Sequence, residues 1–95
     1  MGDRKNIVVK ETVTVINKLG MHARPAAMFV QTAGKYESKI TVAKGDTKVN
    51  GKSVMGMMML AAEKGSQLDI IAEGGDEQEA VEALKKLFEK KFDEE

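Results

Sequence analysis

The sequence predicts an α+β domain built as a four-stranded, mostly antiparallel sheet with three helices on one of its faces. Two observations predict it. Apolar residues alternate with period two in four short segments and recur at helical spacing in three others, in the order βαββαβα. Each strand segment shows one apolar face and each helix segment one apolar stripe, so helices cover one sheet face while the other meets water. Periodicity leaves the strand order open, because a ferredoxin-like sheet gives much the same string.

Val9, Val13 and Val15 alternate with Thr12 and Thr14, and Glu11 is the one awkward member of a first strand that ends near Asn17. After the break at Gly20, Ala26, Phe29, Val30 and Ala33 form a helical stripe, with Pro25 near its start and Gly34 where a C-cap would lie. Ile40 and Val42 mark a second strand, Lys44 to Asp46 a turn, and Thr47 to Val49 a short third strand closed by Asn50 and Gly51, so these two form a hairpin. Ser53 is a favoured N-cap for a short helix running from Val54 to Ala62 and ending before Gly65. Leu68, Ile70 and Ala72 alternate with Gln67, Asp69 and Ile71 in the fourth strand. Asp76 with Glu79 three residues on gives a capping-box signature. The helix it opens carries Ala80, Val81, Leu84, Leu87 and Phe88 on one face, and Phe92 is read as helical too. Its acidic start and its late lysines suit the helix dipole. Asp93, Glu94 and Glu95 read as a frayed acidic end.

The 95 residues make one domain, 1–95, with a core from about 8 to 92. With no cysteine there is neither a disulfide framework nor a thiolate metal site, so stability must come from one hydrophobic core. Fifteen Lys and Arg balance fifteen Asp and Glu, which offers no global field for nucleic acid. No apolar stretch approaches the roughly 18 residues that suggest a membrane span. Residues 1–6 lack the apolar run of a signal peptide, and Asn6 stands where a myristoylation signal wants Ser or Thr. A cytoplasmic protein that binds neither membrane nor nucleic acid is expected.

His22 is the only histidine, and it falls at or beside the N-cap of the first helix, two residues before Arg24. A helix start carries unpaired N–H donors and partial positive charge, and neutral imidazole is a nucleophile near pH 7. The helix end and Arg24 are expected to disfavour the imidazolium and so to keep a ring nitrogen free to attack phosphorus. The N–H groups of Ala23 and Arg24 are the backbone donors available to a phosphoryl group, since Pro25 has none, and the Arg24 guanidinium adds a charge-assisted contact. Phosphoryl transfer depends chiefly on positioning and charge stabilisation, so a shallow site suffices.

Two segments, residues 19–26 (LGMHARPA) and residues 49–56 (VNGKSVMG), closely resemble the HPr family of histidine-containing phosphocarriers, and element order and length agree from about Glu11 to Phe92. The resemblance implies an open-faced β-sandwich and a carrier of the bacterial phosphoenolpyruvate-dependent sugar phosphotransferase system. In that scheme phosphorylated Enzyme I phosphorylates His22 at Nδ1, and His22 hands the group to a sugar-specific Enzyme IIA. The resemblance thus implies a phosphocarrier with a transient phosphohistidine rather than an enzyme. Ser53 matches the serine modified by HPr kinase/phosphorylase, a form that in relatives binds a transcriptional regulator of catabolite repression. Leu19 stands where many relatives have Asn or Ser, which removes any side-chain hydrogen bond from that position to the histidine. Residues 1–7 have no assigned role in the family. A nitrogen-branch paralogue is the alternative.

Met55, Met57, Met58 and Met59 crowd a five-residue window of a short helix and cannot all face one side, so some are exposed. Methionine tolerates several packing partners, which suits a carrier that docks donor and acceptors through one face. The expected partner surface comprises Met21, Ala27, Val54, Met55 and Met58, with Met28 as a further contact, on a chain expected to act as a monomer. One histidine and no cysteine leave a hydrolase without ligands or a base, and no metal or other cofactor is expected. An RNA-binding sheet would want aromatics on its strands, but the three phenylalanines fall on helices.

Overall fold

Four antiparallel strands lie in the order β1-β4-β2-β3, which resolves what periodicity left open. The structure is a computed structural model that describes residues 7–94; residues 1–6 and Glu95 lie outside the described part. The elements are β1 (Val8–Thr14), α1 (Ala23–Ala33), β2 (Lys39–Lys44), β3 (Thr47–Asn50), α2 (Val54–Met59), β4 (Gln67–Glu73) and α3 (Glu77–Glu89), followed by a tight turn at Lys91–Asp93. This is the open-faced α+β sandwich, with the four strands and three helices expected.

Central strand β4 pairs with β1 from Val8↔Glu73 to Thr14↔Gln67 and with β2 from Lys39↔Glu73 to Ala43↔Asp69. This register puts Val13, Leu68, Ile70, Ala72, Ile40 and Val42 on the covered face, all buried. On the open face the Thr12 hydroxyl donates to Asp69 Oδ1 at 2.7 Å. Glu11, on the covered side, reaches the edge of α3 and pairs with Lys85 Nζ at 3.4 Å. This contact resolves its awkward place in the pattern.

Helix α1 turns Ala26, Phe29 and Ala33 inward, and α3 turns Ala80, Val81, Leu84 and Phe88 inward. Phe88 is the hinge of the core, meeting Phe29 edge-on at 6.1 Å and Phe92 edge-on at 4.8 Å. Such pairs add about 0.5–1.5 kcal/mol beyond the area they bury.

Three local expectations need correction. Helix α2 ends at Met59 rather than at Ala62: Leu60 turns into the core, and Ala61 adopts φ 50°, which no helix continues through. Lys44 Nζ caps that early end by donating to the carbonyls of Leu60 and Ala61. The capping box of α3 does not form, because the Asp76 carboxylate is taken by another segment and accepts from the backbone N–H groups of Glu37 and Ser38 and from the Ser38 hydroxyl. These bonds, the Ser38 hydroxyl first, hold the Asp76 carboxyl below its ordinary value against an opposing effect of desolvation. Glu77 instead closes the loop ahead of α3, accepting from the N–H groups of Gly74 and Gly75. The third correction is at the C-terminus: α3 stops at Glu89, and Phe92 sits in the following turn.

Candidate functional site

His22 is the N-cap of α1, in extended conformation at φ −82° and ψ −170°, and its side chain makes no capping hydrogen bond. The first-turn N–H groups of Ala23 and Arg24 have no acceptor within the helix and no side-chain cap. The imidazole is 37% exposed and the Arg24 side chain 58% exposed. The ring helps line an open depression together with Met21, Ala61, Ala62, Lys18 and Lys64. The site is thus shallow.

The loop that delivers His22 is fixed from both sides. Val15 ends the strand direction by donating to Ser66 O at 2.9 Å, and Met21 N–H donates to Ala62 O at 2.8 Å. Gly20 bridges them at φ 71°, where a Cβ would lie 2.6 Å from Ala62 O. Only glycine fits both the conformation and the approach. Asn17, 1% exposed, braces the same loop by donating from Nδ2 to Gly20 O at 2.7 Å.

One further group of the site comes from the far end of the chain. Glu94, read as part of a frayed acidic end, is 14% exposed at its side chain and lies on the histidine. Its Oε2 is 2.8 Å from His22 Nε2 and 3.6 Å from Arg24 Nη1, and its Oε1 accepts from Asn17 Nδ2 at 3.0 Å. Burial opposes ionisation of Glu94, but the hydrogen bonds from Asn17 and His22 and the charges of His22 and Arg24 outweigh it and hold the carboxyl below its ordinary value.

The chain reaches this position through an unusual backbone. Lys91, Phe92 and Asp93 all have positive φ, at 55°, 54° and 60°. Left-handed conformation costs a non-glycine residue about 1–2 kcal/mol. Burial of Phe92, 1% exposed against Phe88, offsets part of this cost. The only sequence signal was Phe92 itself, an aromatic side chain among Lys and Asp that needed a place in the core.

Of the expected partner surface, Met55 is 72% exposed and Met58 44% exposed on α2, which packs against α1. Ala27, Met28 and Val54 are partly exposed. Met57 is fully buried, so the four methionines divide between core and surface. Met21, also expected on that surface, is a core residue at 5% exposure and comes to the surface only where it lines the depression beside His22. Leu19 and Met59 are further apolar side chains exposed to solvent. Ser53 is the N-cap of α2, its hydroxyl accepting from Gly56 N–H at 3.0 Å. Among the described residues no cluster of three or more metal-ligating side chains occurs, and no helix is long and apolar enough to cross a membrane.

Comparison with known proteins identifies the family. The family model described as the PTS HPr component phosphorylation site matches residues 9–90. The phosphocarrier protein HPr of Treponema pallidum (strain Nichols) is 48% identical over 88 residues, covering 93% of this chain and all of the relative. The crystal structure of HPr-C-His from Thermoanaerobacter tengcongensis superposes with a TM-score of 0.88 at 52% identity, over 92% of this chain and 98% of that one. Crh, the catabolite repression protein of Bacillus subtilis, solved as a domain-swapped dimer, matches with a TM-score of 0.71 at 42% identity, over 96% and 97% of the two chains. The chain therefore belongs to the HPr family of phosphotransferase-system phosphocarriers.

Proposed function

We propose that this chain accepts a phosphoryl group on His22 from phosphorylated Enzyme I and passes it to sugar-specific Enzyme IIA proteins. The observation that carries the reading is the placement of a half-exposed imidazole as the uncapped N-cap of α1, with the Arg24 guanidinium beside it. A phosphoryl group bonded to that ring meets the Ala23 and Arg24 N–H donors and the positive end of the helix. The open depression lets two partners reach the ring in turn. Exposed Met55 and Met58, with the partly exposed Ala27 and Val54, supply an adaptable apolar surface for brief encounters. The named relatives are HPr and Crh proteins, which supports the sugar branch over the nitrogen branch.

Regulation is proposed at Ser53. Phosphate there adds about −1.5 to −2 charges at the start of α2, beside the apolar surface, and opposes docking of a phosphorylated donor. HPr kinase/phosphorylase and a catabolite-control transcription regulator are the corresponding partners, and a cytoplasmic monomer is the working form.

The test is incubation of the chain with phosphoenolpyruvate and Enzyme I, followed by an Enzyme IIA. One acid-labile, alkali-stable phosphoryl group is expected on His22, chased onto Enzyme IIA and absent from His22→Ala. Normal labelling of His22→Ala would remove the assignment.

A further inference from the structure

We propose that Glu94 is a positioning residue for transfer at His22, holding the ring proton on Nε2 so that Nδ1 presents the attacking lone pair. The inference rests on the reading of His22 as the phosphoryl acceptor. An ionised carboxylate only accepts hydrogen bonds, so at 2.8 Å from Glu94 Oε2 the His22 Nε2 is the donor. In the neutral ring the lone pair then lies on Nδ1, which has no hydrogen-bond partner among the described residues.

The carboxylate is itself held. Asn17 Nδ2 donates to its other oxygen at 3.0 Å, and Asn17 is buried and tied to Gly20 O. Phe92, two residues before Glu94, is locked in the core, so the left-handed turn carries Glu94 to the ring from a fixed base. A buried acidic partner on one imidazole nitrogen that sets the tautomer and orients the other nitrogen is the arrangement that serves nucleophilic catalysis in hydrolases. Here the nucleophile is the ring.

In the transfer step the Nδ1 lone pair forms the bond to phosphorus. The bond from phosphorus to the donor breaks, and its electron pair leaves with the donor. Nε2 keeps its proton throughout, and the positive charge the ring gains is paired with the Glu94 carboxylate. Transfer onward reverses these changes, with the ring nitrogen as leaving group. Because Glu94 occupies the Nε2 side, it leaves Nδ1 clear for both events. Arg24 Nη1, at 3.6 Å from the same carboxylate oxygen, is near enough to move from Glu94 to the incoming phosphoryl oxygens.

The experiment compares the full chain with Glu94→Ala and Glu94→Gln. First, the ring nitrogens of His22 are observed by ¹⁵N NMR without any partner, at a pH where the ring is neutral. The parent should be the Nε2–H tautomer, and Glu94→Ala should lower the ratio of Nε2–H to Nδ1–H roughly tenfold, the size of one charge-assisted hydrogen bond. Glu94→Gln, which keeps an acceptor, should restore most of the ratio. Second, phosphorylation by Enzyme I should show kcat lowered roughly tenfold in Glu94→Ala and still lowered in Glu94→Gln, with KM little changed. An unchanged tautomer ratio in Glu94→Ala overturns the proposal. Equal or faster transfer in Glu94→Ala overturns it too, and makes the carboxylate an obstruction. A parent chain that Enzyme I does not phosphorylate refutes the carrier reading instead, while the ring spectrum still decides what Glu94 does to His22.

Discussion

Replacing Gly20 with Ala tests the loop that delivers His22, and Gly45→Ala is its control. Both glycines have left-handed backbone, at φ 71° and 59°. A Cβ on Gly45 meets nothing within 4 Å, whereas one on Gly20 falls 2.6 Å from Ala62 O and 3.1 Å from Glu63 Cα. Gly45→Ala therefore costs only the backbone conformation, about 1 kcal/mol. Gly20→Ala costs the same plus relief of a backbone clash. Loop and strand lead must separate by most of an ångström, which weakens the Met21 N–H bond to Ala62 O and the Gly20 N–H bond to Asn17 O. At about 1 kcal/mol each, the total is about 3 kcal/mol. In a domain of this size 1 kcal/mol shifts the thermal midpoint by about 4–8 °C. Circular dichroism should thus show Gly45→Ala melting about 4–8 °C below the parent and Gly20→Ala about 12–24 °C below. Phosphoryl transfer, measured at a temperature where both variants are folded, should be normal in Gly45→Ala. In Gly20→Ala it should be reduced tenfold or more, because a displacement near 1 Å misaligns the nucleophile. Midpoints within a few degrees of each other, or full transfer in Gly20→Ala, would refute the argument from close approach.

Arg24→Ala should stay folded and slow transfer by roughly tenfold or more, as for loss of one charge-stabilising donor, and steady-state kinetics with Enzyme I check this. Ser53→Asp should lower the rate of His22 phosphorylation with a nearly unchanged thermal midpoint, because the helix end tolerates the charge; equal rates reject a switch at that interface. The carboxyls of Asp76 and Glu94 titrate below their ordinary values in the folded chain, so the unfolded chain binds protons first as pH falls. Their contribution is complete above the unfolded values of about 4 to 4.5 and is lost as pH drops through the lower folded ones. Thermal midpoints should therefore fall with acid below about pH 4.5, and Glu94→Gln should show a shallower fall; a midpoint that rises from pH 5 to pH 3 contradicts this sign.

Most of the architecture was legible because it depends on periodicity. The alternation of Leu68, Ile70 and Ala72 specified a covered face, and the stripe of Ala26, Phe29 and Ala33 specified a helix, whatever their distant partners. The proposed acceptor was legible because His22, Arg24 and Pro25 are local signals of a helix start. What failed were features decided by contacts far along the chain. Asp76 looked like half of a capping box, yet Glu37 and Ser38, 39 and 38 residues away, took its carboxylate. Met21 looked like a surface residue from its neighbours in the motif, but the bond of its N–H to Ala62 turns it inward. Glu94 was the largest omission, 72 residues from His22 and reached through three left-handed residues that no composition rule anticipates.

The strand order also sets when the protein can fold. Among the described strands only the β2–β3 hairpin closes locally, across the turn at Lys44–Thr47. Strands β1 and β2 share no edge until β4 is inserted between them. On a ribosome moving at about 5–20 residues per second, β1 therefore emerges and then waits for roughly 3–10 seconds before its partner exists. Throughout that interval Val13 and Val15 have no sheet to join, and the His22 loop, whose brace on Ala62 lies just ahead of β4, has nothing to lean on. Assembly of the acceptor site and closure of the sheet are in consequence one late event, limited by non-local pairing rather than by helix formation.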